Sequence, residues 1–186
     1  MDPELHALMQ ALAQFRDRWP EQAAAAERFF ALASESVDVF RRERLAGHLT
    51  GSAWLVSVDG RRVLLTHHRK LGRWLQLGGH ADGDRDLARV ALREAEEESG
   101  LIGLAVEPEI FDLDRHWIPE RGDVPGHWHY DVRFVVRASA GEDYVVSEES
   151  HALAWREIAD IVADVGADES LRRMALRWLG RQRGER

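Results

Sequence analysis

A short apolar run, a Gly-Gly pair, a polar loop and then a helix crowded with glutamates at its far end restrict this chain more than any other feature does. The segment is LQLGGHADGDRDLARVALREAEEESGL, residues 75–101. Leu87, Ala88, Val90, Ala91, Leu92 and Ala95 recur at helical spacing, and Gly100 is placed to end the helix that begins near Leu87. Glu94, Glu97 and Glu98 stand at i, i+3 and i+4, so they project from one face. Like charges at that spacing each cost about 0.2–0.5 kcal/mol, and acids in a last turn oppose the helix dipole. Taken alone, the run reads most simply as a solvated helix end with Arg93 as partner. A helix that is apolar around much of its circumference changes the balance, because such a helix is largely buried and does not carry idle acids. Carboxylate oxygens are the hard ligands that Mg2+ or Mn2+ prefers, and such an ion converts mutual repulsion into coordination.

The remaining chain arranges strands and helices around this segment. Residues 4–44 contain no strand pattern; Leu5, Leu8, Met9 and Leu12, and then residues 23–32, predict two helices separated at Pro20. From Ala53 the texture changes. Residues 53–58 and 61–68 are apolar strands around Asp59-Gly60, a tight-turn signal, and 74–77 is a third strand running into Gly78-Gly79. Strands over 109–118 and 128–138 follow, separated by a loop with Pro119, Gly122, Pro125 and Gly126. A short strand at 152–155 and helices at 157–165 and 170–179 close the chain. Interleaving of this kind predicts an α/β fold, a mixed central sheet covered on both sides as an α/β/α sandwich. The expected organisation is a helical extension over residues 1–44 and a catalytic domain over 45–186.

The segment resembles the Nudix box: Gly, five residues, Glu, seven residues, Arg-Glu, an apolar residue, any residue, Glu-Glu, any residue, Gly and an apolar residue. Gly79, Arg93, Glu94, Ala95, Glu97, Glu98, Gly100 and Leu101 satisfy eight of its nine defined positions. The departure is Arg85, which stands where the pattern has its first glutamate, flanked by Asp84 and Asp86. The resemblance extends over about residues 47–165 in element order, with the box as its specific part. It implies hydrolysis of a phosphoanhydride bond in a nucleoside diphosphate linked to another moiety. It also implies Mg2+ or Mn2+ on Glu94, Glu97 and Glu98, with the first acid of the pattern serving mainly to support loop and helix. Arg93 orients the neighbouring carboxylates, and Glu97 or a glutamate from a distant loop activates water. Glu149, with Glu148 second, is the loop candidate, since SEES precedes the last strand; a plain acidic loop explains it equally well. Gly79 lets backbone approach metal or phosphate. The alternative is a Nudix-fold protein that binds a nucleotide without cutting it, with Arg85 as its support. Isomerase chemistry of the same superfamily uses a catalytic cysteine, which this chain lacks.

Three secondary readings follow from other residues. Arg69, Lys70 and Arg73, beside His67 and His68, form a basic cluster that receives substrate phosphates or a solvated loop of no special role; His80 is a further candidate for substrate contact. His127, His129, Asp131 and Arg133 share one face of a strand, and Asp112, Asp114 and His116 alternate similarly on the preceding one. That polar face reads first as the wet side of an antiparallel sheet, and second as a pocket lining or a His-x-His transition-metal site. The alanine-rich stretch 22–33 offers a surface for a second copy of the chain, a homodimer.

A formal net charge of -8 disfavours nucleic-acid polymers and anionic membranes, so the expected partner is a small nucleotide-like diphosphate carried with a cation. No uncharged apolar stretch approaches the ~20 residues of a membrane span, and residues 1–21 lack a basic region followed by an apolar one. With no cysteine, disulfides and thiolate chemistry are excluded, and the cytoplasm is the expected compartment.

Overall fold

The computed structural model describes residues 3–68, 72–139, 141–146 and 150–184. Two helices, α1 (Pro3–Arg18) and α2 (Ala23–Glu35), precede strand β1 (His48–Val56), β2 (Arg62–His68), β3 (Arg73–Leu75) and β4 (Leu77–His80). Helix α3 (Leu87–Ser99) then leads into β5 (Ala105–Ile118), β6 (His127–Arg137), β7 (Ser150–Glu157), α4 (Ile158–Ala163) and α5 (Glu169–Gln182). The strands form one seven-stranded sheet in the order β3-β2-β1-β6-β5, with β4 also paired to β1 and β7 to β2. The fold is mixed α/β with N-terminal helices, as the alternation of patterns predicts.

Chain contacts define two compact units. The first comprises residues 1–52, 78–91 and 108–134. Here Leu8, Leu12 and Phe15 of α1 and Ala26, Phe29, Leu32 and Ala33 of α2 are buried, and Phe29 meets Tyr130 edge-on at 5.3 Å. The apolar side of the alanine-rich stretch therefore packs within the chain. The 3-10 turn Pro20–Gln22 between the helices has proline in its first turn, where the missing N–H is no loss. Gln22 is buried there, and its Nε2 donates to the Leu113 carbonyl at 3.3 Å.

The second unit comprises residues 53–77, 92–107 and 135–186. Its core gathers Ala53, Leu55, Leu64, Leu77, Ala95, Leu101, Leu104, Val136, Ala138 and Leu153. The β1–β2 turn is built as Asp59-Gly60 predicts: Asp59 Oδ1 accepts from Ser57 Oγ at 2.6 Å and from the Arg61 N–H at 3.0 Å. β2 pairs antiparallel with β7, Val63 opposite Arg156 and Leu65 opposite Ala154. Gly100 ends α3 at φ 69°, its N–H donating to the Glu96 carbonyl at 2.8 Å.

One local expectation fails. Residues 74–77 do not form a single strand: β3 stops at Leu75, and β4 begins at Leu77 and carries Gly78-Gly79 inside it. Glycine is a poor strand former by propensity, but Gly78 lies so close to β1 that a Cβ there would stand 2.8 Å from the Ser52 Cα. Only glycine permits that backbone approach.

Candidate active site and histidine cluster

The loop before α3 is held by the two aspartates that flank Arg85. Asp86 caps the helix, its Oδ1 accepting from the Arg89 N–H at 3.0 Å. Asp84 accepts from the Asp86 N–H at 3.1 Å and from the Arg89 guanidinium at 2.6 and 3.0 Å. Arg85 lies 3.8 Å from Glu4, a partly exposed pair. Asp84 and Asp86 thus brace the loop and the start of α3 on either side of Arg85.

Along α3, Leu87, Val90 and Ala91 are buried in the first unit, while Leu92 and Ala95 pack into the core of the second. The glutamates are left on the accessible side. Glu94 accepts from Arg93 Nη2 at 3.0 Å and is 18% exposed along its side chain, Glu98 is half-buried and Glu97 is exposed. Arg93 therefore engages the Glu94 carboxylate directly. Gly79 and His80 lie in β4 of the first unit. Arg73, in the second unit, is exposed and faces Asp168 at 3.3 Å. Arg69, Lys70 and Glu149 lie outside the described residues.

The polar face of β6 is not a wet one. His127, Asp131 and Arg133 are buried, as are Asp112 on β5 and His48, Thr50 and Ser52 on β1. Polar residues leave water only when they satisfy one another. Thr50 and Ser52 donate to Asp131 Oδ1 at 2.8 and 2.7 Å, and Arg133 Nε donates to Asp131 Oδ2 at 2.8 Å. Arg133 also reaches Asp112 at 3.2 Å and Asp114 at 3.3 Å.

At the start of the same face, β1, β4 and β6 bring four imidazoles together. His48, His80, His127 and His129 each offer a ring nitrogen, and these nitrogens all lie within 4.8 Å of one another. His48 was invisible to sequence reasoning, because a single histidine at a strand start carries no periodic signal and its partners are distant in the chain. Burial holds three of the rings neutral. It lowers His48, pushes His80 down to about 4 with help from the Arg42 charge, and pushes His129 down to about 2 with help from the neighbouring imidazoles.

Comparison with known proteins accords with this geometry. The NUDIX domain family matches residues 48–179, which span the sheet, α3 and most of α5. A NUDIX family hydrolase from Clostridium perfringens is 25% identical with a TM-score of 0.57, covering 73% of this chain and 97% of its own. The MutT protein of Methanosarcina mazei Go1 is 18% identical with a TM-score of 0.57, covering 75% and 97%. A C. elegans Ap4A hydrolase is 15% identical with a TM-score of 0.56, covering 73% and 98%; at that identity it speaks to the fold alone. No curated protein sequence matches the chain. With the box matched at eight of nine positions, the chain belongs to the NUDIX domain family and is a Nudix-type hydrolase.

Proposed function

We propose that the chain hydrolyses the phosphoanhydride bond of a nucleoside diphosphate linked to another moiety, using Mg2+ or Mn2+ held by Glu94, Glu97 and Glu98. The supporting observation is the placement of these carboxylates on the accessible side of a helix whose other side is buried along its length. The donor set fits the cation, since carboxylate oxygens suit Mg2+ and Mn2+. When bound, the cation neutralises the pyrophosphate oxygens and lowers the pKa of attacking water. Arg93, already 3.0 Å from Glu94, fixes the direction in which that carboxylate presents its oxygens. Glu97, or else Glu149, accepts the proton of the attacking water. Arg69, Lys70 and Arg73 receive the anionic ends of the substrate, and Gly79 leaves room for a phosphate beside the backbone.

The alternative, a Nudix-fold protein that binds a nucleotide without cutting it, rests on Arg85; against it, Asp84 and Asp86 brace the loop on either side of that residue. His80 is the weakest of the substrate contacts, since a ring held neutral to about pH 4 brings no charge to a phosphate.

The test is turnover of nucleoside triphosphates, ADP-ribose, dinucleoside polyphosphates and nucleotide sugars with Mg2+ or Mn2+. Cleavage that needs the cation and falls about 10²–10⁴-fold in Glu97→Gln is expected, with a comparable loss in Glu98→Gln. Binding without product across the panel, read as a ligand-induced rise in Tm, would overturn hydrolysis of these substrates.

A further inference from the structure

We propose that His48, His80, His127 and His129 form a closed site for a divalent transition cation of the zinc class, separate from the carboxylates of α3. All four residues belong to one compact unit and stand on β1, β4 and β6. Among the described residues, theirs is the one group of three or more such side chains with converging ligand atoms.

The ring orientations argue for a cation over an ordinary polar cluster. His48 Nδ1 lies 3.2 Å from the Arg44 carbonyl, and His127 Nδ1 lies 2.9 Å from the Pro125 carbonyl. A carbonyl only accepts, so each of these Nδ1 atoms carries a proton, the tautomer that leaves Nε2 as the ligand atom. This is the arrangement that metal-binding histidines adopt, with the outer nitrogen donating to backbone. The His48 Nε2 is buried without a hydrogen-bond partner, in a residue only 1% exposed. A buried acceptor left bare costs about 1–3 kcal/mol, and coordination removes that cost.

The spacing agrees. The Nε2 atoms of His127 and His129 are 3.2 Å apart, and a tetrahedral ion with nitrogen ligands at 2.0–2.1 Å separates neighbouring nitrogens by about 3.3 Å. The ligand nitrogens of all four rings lie within 4.8 Å of one another, and a cation would draw them closer. Nitrogen-only donors select zinc or cobalt over magnesium. Four protein ligands complete a tetrahedron and leave no place for reactive water, so the site is structural. Its mechanical effect falls on His80, which follows Gly79 directly: a cation would fix the first residues of the box to β1 and β6.

The test is independent of hydrolysis. The full-length protein is stripped with a chelator and titrated with Zn2+, and separately with Co2+, in excess Mg2+ to fill oxygen sites. About one equivalent per chain is expected, with the intense visible bands of tetrahedral cobalt. Affinity should fall more than ~10-fold in His127→Gln/His129→Gln and in His48→Gln, while Glu97→Gln retains the equivalent. Failure of the unaltered protein to bind either ion, a pale octahedral cobalt spectrum, or equal affinity in folded histidine variants would each overturn the proposal. Should the double variant fail to fold, the cobalt spectrum of the unaltered protein and His48→Gln decide.

Discussion

Arg133 shows how much a single residue can hold in place. Its guanidinium is 3% exposed and meets carboxylates of Asp131, Asp112 and Asp114 at 2.8, 3.2 and 3.3 Å. Removing one member of such a buried set is far more damaging than never having built it, because the opposing charges stay behind without their partner. Arg133→Met is expected to destabilise the fold by about 3–5 kcal/mol, read as a lowered midpoint in urea with an unchanged slope. A loss below about 1 kcal/mol would show that water already reaches these groups. The alternation on β6 correctly put His127, His129, Asp131 and Arg133 on one side. It could not tell whether that side was wet, because a period of two fixes direction and says nothing about what lies opposite. Two of the partners that satisfy this face, Thr50 and Ser52, come from β1, a strand remote in sequence. The same remoteness hid His48.

At the scale of elements, what was legible was whatever depends on neighbours in the chain. α3 begins at Leu87 and ends at Ser99 as the apolar spacing and Gly100 require, and the Asp59-Gly60 turn joins β1 to β2. The box glutamates were legible too, since their shared face is a property of the helix alone. The misread element was β4: the expected strand over 74–77 ended before the glycines, which strand propensity penalises. Its strand character comes from pairing with β1 at a separation only Gly78 allows, and a Cβ would also fall 2.1 Å from Ser52 Oγ. Gly78→Ala must therefore push β4 from β1, with an expected loss of about 1–3 kcal/mol and a fall in kcat, because Gly79 moves with it. Gly141 has nothing within 4 Å of a built Cβ, so Gly141→Ala should change stability by no more than ~0.5 kcal/mol. Equal effects of the two in parallel denaturation curves would refute the steric account of β4.

On the scale of the whole molecule, charge sets the response to pH. The chain carries 33 acidic and 25 basic residues, and no helix among the described residues is long and apolar enough to cross a membrane. Net charge says little about fold, whereas individual carboxylates that titrate differently once folded decide acid stability. Glu107 is the clearest case. Burial raises its pKa, but bonds from Arg181 at 2.6 Å and Arg137 at 2.8 Å outweigh this and hold it below the ordinary carboxylate value. Those arginines also cover the Trp178 ring at 5.5 and 5.0 Å, and Trp178 Nε1 donates to the Gly60 carbonyl at 2.8 Å. One carboxylate thus ties β5 and β6 to α5, within the second unit. Because its folded pKa is depressed, its contribution is fully present above the unfolded value, about 4.3, and disappears as pH falls through the folded one. Both arginines are nearly half exposed, so solvent screens the pairs and the contribution is about 1 kcal/mol. Glu107→Gln should accordingly lower stability at pH 7 by that amount, and the two proteins should converge once Glu107 is protonated in both states. Denaturant midpoints compared between pH 7 and pH 3 measure this directly, and a difference that persists unchanged into acid would mean that packing of the side chain, and not its charge, joins the three elements.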